Sequence, residues 1–252
     1  MILLKIDNVS LTLDGSRIIR NLNFSVPQNE IVGLIGATES GKSSLFDLIS
    51  GVYIPDEGKI TLAGIDITPL TIEKLTTLGV ARTFQNANFF SNFSVTDNIR
   101  LGFHNSLTYN LFDVILRTQK FFSNEKEIDE RTNELISIFN LSDYADMFPN
   151  DIPYDAQCRL DIARAVATSP KLLLLDRPTG GLSINQAEEF MSTIEMVNRR
   201  FKTAIVIIEN DLNLLLNICS EISVMEYGTI IATDNPIEIK NNQVLTSICL
   251  GE

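Results

Sequence analysis

Residues Ile31-Val32-Gly33-Leu34-Ile35-Gly36-Ala37-Thr38-Glu39-Ser40-Gly41-Lys42-Ser43-Ser44 read as a short apolar strand entering a glycine-flanked loop and then a helix. Positions 36–43 satisfy G-x-x-x-x-G-K-[ST] in the strand-to-helix setting where that spacing has a mechanism. Backbone N–H groups and the helix N-terminus surround phosphate oxygens, Lys42 adds a point charge, and Ser43 can ligate Mg²⁺. Average residue usage makes a chance match in a chain this long an event of about one per cent. A glycine-rich turn bearing a surface lysine is the plain alternative and a poor second. The candidate nucleotide contacts are therefore Gly36, Ala37, Thr38, Glu39, Ser40, Gly41, Lys42, Ser43 and Ser44.

Working outward, Ile31–Ile35, Lys171–Asp176, Thr203–Ile208 and Glu221–Met225 are Ile-, Val- and Leu-rich runs suited to parallel strands buried on both faces. Lys42–Ser50, Asn185–Arg200 and Leu212–Ile218 carry apolar residues at three- and four-residue spacing, as helices packed on a sheet do. The fold class expected is α/β, a phosphate-loop core with a mostly parallel sheet. An antiparallel flank is expected from Leu3–Leu13, Ile18–Val26 and Lys59–Ile65, with turns at Asp14-Gly15-Ser16 and Pro55-Asp56-Glu57-Gly58. From about Asn92 to Pro149 strand signals vanish and helical periodicity takes over. The organisation expected is one domain over 1–252, with an α/β core and flank from 1–91 and 157–252 and an inserted helical subdomain from 92–156. Asp176 ends a buried strand, where it can hold a metal through water. Alone such an aspartate says little; beside the phosphate loop it completes a metal and phosphate site.

The 252 residues, 44% hydrophobic and 21% charged, suffice for a substantial core and argue against disorder. The formal charge of −12 repels a nucleic-acid backbone, so no nucleic-acid partner is expected. Cys158, Cys219 and Cys249 lie far apart, without disulfide or zinc spacing, which fits a reducing compartment. The opening Met1-Ile2-Leu3-Leu4-Lys5-Ile6-Asp7 lacks a signal-peptide pattern, no stretch reaches a membrane span, and a cytosolic location is expected. His104 is the sole histidine and falls in the helical insert, where a surface or packing role is expected.

The chain resembles, over essentially its whole length, the nucleotide-binding subunits of ABC transporters, in particular those serving branched-chain amino acid import. Gly79-Val80-Ala81-Arg82-Thr83-Phe84-Gln85-Asn86 looks like that subgroup's Q-loop, which makes Gln85 a metal- and interface-sensing glutamine. Leu160–Lys171 is similar to the helix that follows the family signature, and Pro153-Tyr154-Asp155-Ala156-Gln157 stands where the signature belongs. The resemblance implies ATP and Mg²⁺ as cofactors, with Ser43, Gln85 and Asp176 around the metal. It also implies a second nucleotide-binding subunit that completes each site through its signature. Membrane permease subunits would dock in the groove beside the Q-loop, with the chain peripheral on the cytoplasmic face of the membrane. Soluble relatives acting on DNA or in translation carry long coiled-coil inserts or two fused cassettes, and this chain has neither.

Against that pattern the sequence departs at the hydrolytic positions. Where the family has the glutamate that polarises the attacking water, this chain has Arg177, and a guanidinium cannot accept a proton. Losing a positioned base removes roughly 10²–10⁴ of rate. Contact with phosphate is the functional alternative for Arg177. Asn210, in Ile208-Glu209-Asn210-Asp211, replaces the switch histidine and cannot become cationic. Asp155 replaces the signature glycine and brings a negative charge; one like-charge pair at 4 Å costs about 4 kcal/mol at an effective dielectric of 20. Micromolar binding is worth only about 8 kcal/mol. Glu39 replaces a loop glycine, Ser183 replaces the usual Asp or Asn of the D-loop, and Leu13 aligns where an aromatic residue normally stacks on adenine. Arg177, Asn210 and Glu39 affect the site on this chain's own loop, and Asp155 the one it completes for a partner. The reading is an ATP-binding transporter subunit impaired in hydrolysis, with a regulatory or scaffold protein of the same fold as the alternative.

Overall fold

The computed structural model describes residues 1–83, 88–106 and 111–245, without the side chains of residues 105, 106 and 111. In chain order its elements are β1 (Ile2–Leu13), β2 (Ser16–Pro27), β3 (Ile31–Ile35), α1 (Lys42–Ile49), β4 (Glu57–Leu62), β5 (Ile65–Asp66), α2 (Ile72–Leu78), β6 (Val80–Arg82), α3 (Val95–Gly102), α4 (Leu111–Ile115), α5 (Gln119–Ile138), α6 (Tyr154–Ala167), β7 (Leu172–Asp176), α7 (Ile184–Phe201), β8 (Ala204–Ile208), α8 (Leu212–Ile218), β9 (Glu221–Glu226), β10 (Thr229–Asp234) and α9 (Pro236–Asn241).

Every residue of β3, β7 and β8 is buried, which explains runs of aliphatic side chains without polar alternation. These strands lie in a six-stranded sheet of order β10-β9-β3-β8-β7-β6, parallel except for the β9–β10 hairpin at its edge. Burying one such Leu or Ile stabilises the fold by about 1.5–3 kcal/mol relative to exposing it. A second, antiparallel sheet has the order β2-β1-β4-β5. One apolar core runs through both sheets and α1, including Leu4, Ile6, Leu34, Phe46, Ile49, Leu174 and Val206. The α/β architecture with an antiparallel flank expected from the sequence is the one observed. The strand expected over Lys59–Ile65 is instead two strands, because Ala63 at φ 49 turns the chain back between β4 and β5.

Contacts divide the chain into Met1–Gln85 with Lys171–Glu252, and Asn86–Pro170. The sequence boundaries at 92 and 156 thus move outward on both sides. The reason lies in α6, which continues unbroken from Tyr154 to Ala167 and packs its Ala-rich face on α3. A side-chain carbon on Gly102, at the end of α3, would lie 2.6 Å from Ala167 Cβ, so the approach of the two helices requires a glycine there. Ser94 and Asp97 form a reciprocal cap at the start of α3. Asn98 donates to the carbonyls of Phe90, Phe93 and Ser94 and accepts from Phe90 N, fixing the turn before that helix. His104 is exposed on a 3-10 turn after α3, which takes the surface side of the surface-or-packing role expected for it.

Candidate functional site

The parallel register aligns Leu34 of β3 with Ile208 of β8 and Ile208 with Asp176 of β7. One residue further on, Ile35, Glu209 and Arg177 therefore form a row at the carboxyl edge of the sheet, where open α/β sheets bind ligands. The loop between β3 and α1 leaves this edge at Gly36. A Cβ on Gly36 would stand 2.0 Å from Met225 O of the neighbouring β9, which excludes any other residue. Ser40 O accepts from Gly228 N at 3.0 Å and Ser40 N donates to Ala37 O at 3.2 Å, so the loop is anchored at both flanks. Gly41 caps α1, and Ser43 is exposed with Ser44 half-buried on its first turn.

Lys42 is buried, and its ammonium donates to Gly36 O (2.8 Å), Ala37 O (2.7 Å) and Ser40 Oγ (2.9 Å). Thr38 and Glu39 are exposed at the loop's tip. Glu39 sits at φ 66, the left-handed conformation natural to glycine, so the loop keeps the shape that the glycine would give it.

Asp176 is buried at the end of β7. Arg82 of the adjacent β6 reaches its Oδ2 at 3.5 Å, and also pairs with Asp47 Oδ1 (2.6 Å) and donates to Ser50 Oγ (3.1 Å). The same guanidinium lies over the Phe46 ring, 5.6 Å from its centroid. Arg82 thus ties the carboxylate of β7 to α1, the helix that presents Lys42 and Ser43. Sequence reasoning placed Arg82 only in a motif, because its partners lie 35 and 94 positions away and no local spacing pairs them. Among the described residues, Asp176 Oδ1 is buried without a hydrogen-bond partner. With the Ser43 hydroxyl it offers hard oxygen donors of the kind Mg²⁺ takes when it keeps water and binds phosphate. Among the described residues no group of three or more His, Cys, Asp or Glu could hold a metal, so no all-protein cage competes with that arrangement. Gln85 lies outside the described residues.

Arg177, at φ 50, follows directly, with its backbone N–H donated to Ile208 O at 2.9 Å. Asn210 is exposed. The two carboxylates nearest in sequence are both engaged. Glu209 is buried and accepts from Thr179 N (3.0 Å), Thr179 Oγ1 (2.7 Å) and Asn210 N (3.3 Å). Burial pushes its carboxyl above the usual range, against the pull of those hydrogen bonds and of the Arg177 charge. Asp211 caps α8, accepting from Asn213 N at 2.9 Å. Both carboxylates thus serve local structure, Glu209 as a buried tie to Thr179 and Asp211 as a helix cap. Ser183 caps α7 in a reciprocal pair with Gln186, a helix-starting task that its hydroxyl performs well.

The family model described as ABC transporter matches residues 19–180. The chain belongs to the ABC transporter family. Over 250 residues, 99% of this ABC chain and 98% of the relative, it is 31% identical to the high-affinity branched-chain amino acid transport ATP-binding protein LivG of Salmonella typhimurium. A nucleotide-free ATP-binding cassette from an ABC transporter superposes with a TM-score of 0.83 at 25% identity, covering all of both chains. The dimeric cassette MJ0796 bound to ADP and Pi superposes at 0.77 with 22% identity, covering 92% of this chain and 98% of that one. The fold is accordingly the ABC ATPase fold, and the chain is the ATP-binding subunit type. No helix of the described residues is long and apolar enough to cross a membrane.

The remaining expected site residues of this ABC chain fall elsewhere. Leu13 ends β1 opposite Ser16, half-buried against the core. Pro153, Tyr154, Asp155, Ala156 and Gln157 open α6 in the helical unit, with Tyr154 53% exposed and Ala156 buried. Asp155, expected to bring a negative charge to the signature, is paired. Its Oδ2 accepts from Arg159 at 2.7 Å, one helical turn on. The i,i+4 spacing carried that pair in the sequence, and the full repulsion of a lone carboxylate therefore does not apply.

Proposed function

We propose that the chain is the nucleotide-binding subunit of an importer for branched-chain amino acids, holding Mg-ATP on residues 36–44 while hydrolysing it little. Ser43 and Asp176 would hold the metal, with Gln85 as the third contact. Bound Mg²⁺ would neutralise phosphate charge and orient the terminal phosphoryl group. Lys42 would bind phosphate oxygens, and Arg82 would keep Asp176 in place. The observation that carries the reading is Arg177 directly after Asp176, with Glu209 and Asp211 committed to Thr179, Asn210 and Asn213. Among the described residues, the position after Asp176 thus carries a guanidinium, which cannot take a proton from water. A second cassette, through its own signature, and permease subunits would complete the assembly at the cytoplasmic face of the membrane. LivG, named for branched-chain amino acid transport, supports the substrate class, and the dimeric MJ0796 cassette supports the pairing.

The test is calorimetry with Mg-ATP and phosphate release on the purified chain, beside the double variant Arg177→Glu with Asn210→His. The expected result is ATP binding with phosphate release at background, and measurable turnover in the double variant. Turnover by the unmodified chain equal to that of the double variant would overturn impaired hydrolysis. A double variant that stays silent would assign the block to Glu39 and Asp155. Failure of the unmodified chain to bind ATP would leave the scaffold role in its place.

A further inference from the structure

Two orphaned polar atoms sit on adjacent residues at the end of β7. Asp176 Oδ1, an acceptor, and Arg177 Nε, a donor, are both buried and neither has a hydrogen-bond partner among the described residues. Buried polar groups are almost always paired, so each of these orphans calls for a partner, a cation for the carboxylate oxygen and an anion for the guanidinium. The rest of the Arg177 guanidinium is likewise uncommitted: among the described residues it makes no ion pair and no side-chain hydrogen bond.

Arg177 is not accounted for as a counter-ion of Glu209. That carboxylate feels the guanidinium's charge, yet its oxygens are taken by Thr179 and Asn210. The backbone of Arg177 is held at φ 50 by hydrogen bonds on both sides, its N–H to Ile208 O and its carbonyl from Gly180 N. Such a conformation persists in a bulky residue only where the surroundings impose it, and it clusters at sites that handle ligands. The register sets Arg177 in a row with Glu209 and Ile35, two strand spacings or about 10 Å from the phosphate loop. A long side chain and a chain of phosphates can bridge that gap from opposite ends.

We propose that Arg177 is a phosphate ligand, its guanidinium taking the outermost phosphoryl oxygens of a nucleoside triphosphate whose inner phosphates lie on the 36–43 loop. The planar fork suits two phosphate oxygens at once. The pocket then holds triphosphate in preference to diphosphate, and the arginine converts a hydrolytic position into a retaining one. This rests on the reading of the loop as a nucleotide site.

The experiment is calorimetry of the full chain with Mg-ATP and with Mg-ADP, for the unmodified protein and for Arg177→Gln, Arg177→Lys and Lys42→Ala. Charge-assisted contacts of this kind are worth roughly ten- to a hundredfold in affinity. Arg177→Gln should lower ATP affinity by about that factor and leave ADP affinity within about twofold. Arg177→Lys should fall between, and it decides the matter if the Gln variant does not fold. Lys42→Ala should weaken both nucleotides. Equal ATP affinity in the unmodified and Gln proteins, or equal losses for ATP and ADP, would overturn the proposal while leaving the loop as a nucleotide site. If the unmodified chain bound neither nucleotide, the reading of the loop would fail and this proposal with it.

Discussion

Glu39 shows what one residue can conceal. Its side chain is exposed, its backbone is left-handed at φ 66, and the loop around it is otherwise built from required positions such as Gly36. Left-handed backbone costs a residue with a Cβ about 1–2 kcal/mol, and a glycine gives back about 0.5–1 through the freedom it loses on folding. Glu39→Gly should therefore stabilise the chain by about 0.5–1 kcal/mol in urea unfolding and tighten Mg-ATP binding by removing a carboxylate from the loop. A loss of stability would show that Glu39 makes a contact that compensates its backbone. The phosphate loop itself was legible because its chemistry is local: eight consecutive residues carry it. Arg82 was not, since its role comes from strand order bringing β6 beside β7 and both beside α1. Asp155 was legible only in half, with its charge read and its partner Arg159 four residues on overlooked.

At the scale of the element, α6 carries a titration of its own. Burial pushes the Asp161 carboxyl up to about 6, and Arg164, 3.9 Å away, offsets only part of that. The folded form thus binds this proton more tightly than the unfolded chain. Stability from this group is full below the unfolded value near 4 and is lost as pH rises through about 6. Two units of displacement correspond to about 3 kcal/mol. Measured against Asp161→Asn, the unmodified chain should lose about 2–3 kcal/mol of relative stability between pH 4 and pH 6.5, and no more above it. Parallel stability curves would refute the displaced titration. The elements themselves were read well where the apolar signal was strong, as in the unbroken aliphatic runs of β3, β7 and β8 and the three- and four-residue spacing of α8. Short edge elements such as β6 and β10 escaped, because three to six half-buried residues give no period to count.

The charge of the whole molecule, −12, bears on where it can settle. Anionic lipid headgroups attract clustered basic segments and repel a surface with this balance. The isolated chain should stay in the supernatant when sedimented with phosphatidylglycerol vesicles at low salt, and reach a membrane only through protein contacts. Extensive pelleting would mean that a local basic face outweighs the total.

The ammonium of Lys42 has a consequence of its own. Three N–H donors meet three oxygens supplied by the same loop, at Gly36, Ala37 and Ser40. A phosphate entering the cradle must win those donors from acceptors already in good geometry, so its net gain is a difference between two satisfied arrangements. A single small anion gains little from such an exchange. A ligand that delivers several oxygens along one tether displaces the incumbents together, and the loop thereby selects for polyphosphate before any base or sugar is inspected.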